Sequence, residues 1–186
     1  MNKLQSLCII TIFVTITGFS QSKSPLYLDA SQPVELRLED LMDRMTLEEK
    51  VYQMNQFVGL DHMRQAEKNL TEEELHSNDA QGFYKGLFSD DVAQMTKEGK
   101  IGSFLHVLTT EEANLLQELA LQSPLKIPIL IGIDAIHGNA LVSGTTVYPS
   151  PITLASTWSD SFLYDVGKQS AKEMRATGSH WAFTPN

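Results

Sequence analysis

The stretch IPILIGIDAIHG, Ile127 to Gly138, decides how the rest of the chain is read. Its first seven residues, Ile127 to Ile133, are almost entirely apolar, without the polar–apolar alternation of a half-exposed strand. Such a run fits a strand covered on both faces, as in a parallel sheet. It stops at Asp134, and His137, Gly138 and the proline-flanked loop YPSP (148–151) follow. A carboxylate is therefore expected where a buried strand ends.

Upstream of this strand, TTEEANLLQELALQS (109–123) carries Leu115, Leu116 and Leu119 at helical spacing, and KIGSFLHV (100–107) reads as a second buried strand. A helix is expected to begin at Ser89, with Asp90 and Asp91 at its positive end and Gly99 as its stop. Downstream, the loop Asp134 to Thr157 leads to a helix from about Ser159 to Thr177. Gly178 closes it, and Arg175 stands in its last turn. HWAFTPN (180–186) is the third strand.

Strand, helix, strand, loop, helix, strand specifies parallel strands joined by right-handed crossovers. That leaves two α/β architectures: a doubly wound open sheet, or the front of a (β/α)8 barrel. Neither GxGxxG nor GxxxxGK[ST] occurs, so the phosphate-binding fingerprints of open sheets are missing.

Nearer the N-terminus, Val34, Leu38, Leu41, Met42 and Met45 recur at helical spacing until Thr46 interrupts them. TLEE (46–49) reads as a capping box, Thr46 with Glu49, opening a second helix with Leu47, Val51 and Met54 on one face. Residues 55–88 are irregular and rich in charge, and read as an insertion or an exposed helical excursion. Within them Thr71 and Glu74 suggest another capping box, and Asn69-Leu70-Thr71 is a formal glycosylation sequon.

The first twenty residues stand apart. Lys3, the apolar run CIITIFVTI and small residues Gly18 and Ser20 form a secretory signal peptide pattern. The run is short for a membrane span, so an exported protein with no membrane attachment after cleavage is expected, periplasmic or secreted. Cys8, the single cysteine, would leave with it, and no disulfide or thiol nucleophile would remain. The expected organisation is signal peptide 1–20, a polar lead-in 21–33, and an α/β domain 34–186.

Composition narrows the function. At 42% hydrophobic and 20% charged the chain is that of a globular protein. A net charge of −9 excludes nucleic acid as partner, since that demands a basic footprint. Asp134 is the leading candidate for chemistry, because loops at the C-terminal ends of parallel strands converge on the functional mouth. Gly132 and Gly138 would let the backbone approach a ligand closely. A carboxylate there can grip adjacent sugar hydroxyls; it can also cap the next turn or pair with a local cation. Asp134 and His137 alone do not make a metal site, which takes three or four ligands, and His62, His76, His106 and His180 are scattered. No metal and no cofactor are expected, and His137 reads as an oriented loop residue near the pocket. Ser150 lacks a GxSxG elbow. Glu173 and Arg175 read as an ion pair, and Trp181 as core.

Five ordered blocks, MTLEEKVYQM, EGKIGSFL, IPILIGIDAIHG, TTVYPSPITLAST and AKEMRATGSHWAFTPN, resemble the N-terminal part of secreted β-glucosidases of glycoside hydrolase family 3. The resemblance covers roughly 34–186 and weakens between 55 and 88. It implies a TIM-like barrel, normally followed by an α/β sandwich and often a fibronectin-like domain. It also implies retaining, exo-acting removal of β-linked glucose, or xylose in relatives, from glucosides or oligosaccharides. Asp134 matches the family aspartate that hydrogen-bonds glycone hydroxyls; His137, read from its place in the loop and not from the resemblance, is expected to stand behind it. The family's arginine, Lys-His pair, catalytic aspartate and acid/base glutamate match nothing here, so no catalytic residue is expected in this chain and it should hydrolyse nothing alone. Length agrees: a barrel takes about 250 residues, and 186 less the first 20 leaves 166, so only the front part of a barrel is expected, with Trp181 and Phe183 at an open sheet edge. The competing expectation is an exported, non-catalytic α/β module that binds a sugar or a partner protein. Oligomeric state is not legible.

Overall fold

The structure, a computed structural model, describes residues 24–75 and 84–184. The expected signal peptide lies outside them, as does His76. The chain divides into two compact units, Met1–Arg44 and Met45–Asn186.

In the first unit a 3-10 turn, Leu26–Leu28, precedes helix α1, Val34–Arg44. Asp40 ties the two together. It accepts from the Tyr27 backbone at 3.0 Å and pairs with Arg44 at 2.9 Å, and these bonds hold its carboxyl below the usual carboxylate range, the Arg44 bond most. The expected helix is present, but it buries none of its residues.

The second unit opens with α2, Leu47–Tyr52, on the expected capping box: Glu49 N–H donates to Thr46 Oγ1 at 3.2 Å, and Thr46 N–H to Glu49 at 2.8 Å. The face expected to turn inward does not. Leu47, Val51 and Met54 are all exposed, because the helix ends at Tyr52, before its second turn is complete, and that side meets no layer among the described residues.

The front of the 55–88 segment, residues 56–69, is part of the fold rather than an insertion or an exposed excursion. Gln56–Val58 form β1, and α3, Leu60–Asn69, buries Leu60 and Met63 completely. A three-residue strand offers too few positions for a period, and its polar start hides it. A short helix α4, Glu72–Leu75, follows on the expected Thr71–Glu74 box. Then come α5 (Ser89–Lys97), β2 (Ser103–Leu105), α6 (Thr110–Ala120) and β3 (Leu130–Ile133). The segment read as one loop after Asp134 contains α7, Pro151–Ala155, with Ser150 at its N-cap and Pro151 in its first turn, where a missing N–H costs nothing. Helix α8, Asp160–Ala176, and β4, Trp181–Ala182, complete the order.

Among the described residues the sheet thus holds four strands rather than three, all parallel, in the order β1-β2-β3-β4. That consecutive order separates the two architectures. A doubly wound sheet reverses direction at a switch point, whereas a barrel adds each strand beside the last. The burial follows suit. Phe104 and Ile131 point to the helix side and are fully buried with Met63, Val92 and Leu116, and Ile133 is fully buried in a second cluster with Ala135, Val142 and Met174, while Leu130 and Trp181 on the opposite face are each 43% exposed. This is the front part of a (β/α)8 barrel, with one face covered by helices and the other facing the barrel axis. Strand β4 is one of the two sheet edges among the described residues, as expected, β1 being the other, with the Trp181 and Phe183 rings edge-to-face at 4.5 Å. No helix among the described residues is long and apolar enough to cross a membrane.

Candidate functional site

Asp134 directly follows Ile133, the last residue of β3, at the C-terminal end of the sheet. The chain turns sharply there, with Ala135 N–H donating to Ile133 C=O at 3.0 Å. Its carboxylate stays 44% exposed, and Oδ2 meets His106 Nε2 at 3.0 Å, the ring being 31% exposed. If the ring is neutral, its proton sits on Nε2; otherwise the ring is charged. Among the described residues Asp134 Oδ1 has no hydrogen-bond partner.

His106 occupies the equivalent place on the neighbouring strand, one residue past Leu105. Its N–H donates to Gly132 C=O at 2.9 Å, continuing the β2–β3 ladder. Its φ is then +56°, in the left-handed region that a residue with a side chain seldom occupies. Sequence pattern alone does not single out this residue, yet the strand-end rule that picks out Asp134 applies equally to the histidine closing "SFLH".

The loop beyond Asp134 is anchored at several points. His137 takes part through its backbone, its C=O accepting from Tyr148 N–H at 2.8 Å; no hydrogen bond joins its ring to Asp134 among the described residues. Asn139 is fully buried and donates through Nδ2 to Thr177 Oγ1 at 2.9 Å. Glu173 binds Thr146 twice, at 2.9 Å from the backbone N–H and 2.8 Å from the hydroxyl, and takes Gln169 at 3.1 Å. Led by the Gln169 bond, these contacts lower its pKa. Glu173 therefore staples the loop to α8 rather than pairing with Arg175. The two glycines expected to admit a ligand serve packing instead. A Cβ on Gly132 would come within 2.5 Å of Phe183 Cζ, and one on Gly138, where φ is +80°, within 2.5 Å of Thr146 O.

The remaining titratable groups of note are structural. Glu112, in the first turn of α6, is 4% exposed and accepts from Asp61 N–H at 2.9 Å, capping α3 from outside; burial pushes its pKa up. His62 is exposed on α3. At the opposite end of the sheet His180 Nδ1 accepts from Ile131 N–H at 3.3 Å, and burial lowers its pKa below the ordinary 6.5. Among the described residues Ser150 Oγ meets only Thr153 Oγ1, at 2.9 Å. No three His, Cys, Asp or Glu side chains gather as metal ligands among the described residues. What the mouth of the sheet offers is one oriented carboxylate with open acceptor positions.

Residues 46–186 match the profile of the Glycosyl hydrolase family 3 N terminal domain. A lysosomal beta glucosidase of Dictyostelium discoideum is 25% identical over 80% of this chain and 18% of its own length. A periplasmic beta-glucosidase of Salmonella typhimurium is 26% identical over 78% and 15%. Among solved structures, the exo-1,3/1,4-beta-glucanase of a Pseudoalteromonas species superposes with a TM-score of 0.60 at 25% identity, covering 87% of this chain and 18% of that one. The chain thus spans less than a fifth of the length of each of these relatives.

Proposed function

The chain belongs to glycosyl hydrolase family 3, and from that premise we propose that it is the sugar-gripping front of a retaining, exo-acting, β-glucosidase-like enzyme. The substrate is terminal β-linked glucose on glucosides or oligosaccharides, and no cofactor takes part. The single observation that carries this reading is the Asp134 carboxylate at the strand mouth, held on one oxygen and open on the other. An ionised carboxylate presents about four lone-pair positions. With His106 occupying one, enough remain to accept from two adjacent hydroxyls of a pyranose. A hydrogen bond to a charged group contributes about 1.5–3 kcal/mol, and two neighbouring ones also fix the ring's orientation.

Cleavage with retention needs two carboxyl groups about 5 Å apart across the glycosidic bond, one as nucleophile and one as acid and base. Asp134, tied to a histidine, is the grip and not the blade; in this reading both cleaving groups lie outside this chain. His137 supports the pocket from the loop. Residues 1–20 direct export to the periplasm or beyond, residues 21–33 lead in, and residues 34–186 are the partial-barrel domain, its barrel strands lying in the unit that begins at Met45. Lys3 and the apolar run after it support export, as does likeness to a periplasmic and a lysosomal enzyme.

The test is incubation of the purified chain with an aryl β-glucoside. Saturable binding without release of the phenol is expected. Turnover proportional to chain concentration would contradict the division of labour, and absence of binding would contradict the grip.

A further inference from the structure

We propose that His106 is a positioning residue, which holds the Asp134 carboxylate in the one orientation that leaves Oδ1 toward the sugar; the inference rests on the sugar-binding reading of Asp134. Three observations converge on it. First, Nε2 and Oδ2 stand 3.0 Å apart with both side chains partly exposed, so the bond spans the mouth of the sheet rather than its core.

Second, the backbone is bent to make it. Side chains alternate along a strand. Had β2 continued extended, residue 106 would share the face of Phe104, which is packed under the helices. The left-handed turn at φ +56° breaks that alternation, and the ring reaches Asp134 on the adjacent strand. Strain of this kind in a non-glycine residue costs of order 1–3 kcal/mol and persists where surrounding structure enforces it.

Third, the neighbourhood is built to enforce it. His106 N–H is fixed on Gly132 C=O, and a Cβ on Gly59 would come within 2.9 Å of His106 C=O. Gly59 therefore leaves room for the turned carbonyl. Asp134 itself sits in a tight turn and has no other hydrogen-bond partner among the described residues. Without the imidazole its carboxylate would sample several rotamers, and the sugar would have to order it.

Two variants separate the ring from the backbone. His106→Gly suits the left-handed conformation and removes the ring, so the fold is kept; His106→Gln returns a donor with similar reach. Two readouts are needed on the intact chain: scalar couplings across χ1 of Asp134 without ligand, and affinity for methyl β-D-glucopyranoside by NMR titration. A single Asp134 rotamer is expected in the wild type and His106→Gln, and averaging in His106→Gly. Affinity should fall about tenfold in His106→Gly and recover in His106→Gln. An unchanged Asp134 rotamer in His106→Gly overturns the positioning role whatever the sugar does. Averaged couplings with unchanged affinity overturn it too, while leaving the sugar site standing. Ordered couplings in a wild type that binds no glucoside would instead sink the sugar reading, and with it the purpose assigned to the pair.

Discussion

The Phe183 ring lies directly over Gly132, so close that a side chain on Gly132 would occupy the ring's place. Gly132 pairs in register with Trp181, so this contact joins the edge strand to its neighbour two residues below Asp134. Gly132→Ala is expected to destabilise the chain by about 1–3 kcal/mol, the range of overpacking substitutions. Phe183→Ala in the same chain should recover part of the loss. Urea denaturation of the two single variants and the double variant measures it; a neutral Gly132→Ala would mean the ring does not pack there.

The two faces of the sheet should respond differently to truncation. Phe104→Ala removes a fully buried ring from the helix-covered side and should cost about 3–5 kcal/mol, a large share of the roughly 5–15 kcal/mol that holds a domain folded. Leu130→Ala, on the partly open face, should cost well under half as much. Equal losses in denaturant midpoint would contradict a sheet covered by helices on one side only.

His180 should make stability depend on pH. Its Nδ1 accepts from Ile131 N–H, which requires that nitrogen to be unprotonated, and burial chiefly, with Arg175 as a lesser cause, lowers its pKa from 6.5. The folded state therefore favours the neutral ring. The resulting stabilisation is fully present above pH 6.5 and is lost as pH falls below it through the folded value. Denaturant midpoints between pH 7.5 and 5 should decline more steeply in the wild type than in His180→Gln. Parallel profiles would show that the ring is not clamped on the strand.

Much of this is legible in the sequence. The runs around Phe104 and Ile131 mark two strands, the Thr46–Glu49 pattern marks a helix start, and Asp134 stands out by its place after "ILIGI". The three-residue β1 escapes because its length defeats any test of period. Leu47, Val51 and Met54 have helical spacing, but spacing does not say whether a partner layer exists. His106 escapes for a different reason. Its contact with Asp134 joins residues 28 positions apart across two strands, and only the sheet register brings them together. Gly132 and Gly138 read as room for a ligand, when Phe183 and Thr146 occupy that room.

Sugar binding at Asp134 is best probed by replacing it with Asn, a near-isosteric change that removes the charge. Affinity of the chain for methyl β-D-glucopyranoside should drop at least tenfold in Asp134→Asn, the minimum expected for loss of a charged hydrogen bond, while the unfolding midpoint changes little. Unchanged affinity, or a loss that merely follows a loss of folding stability, would place Asp134 among the residues that hold the loop and not the substrate.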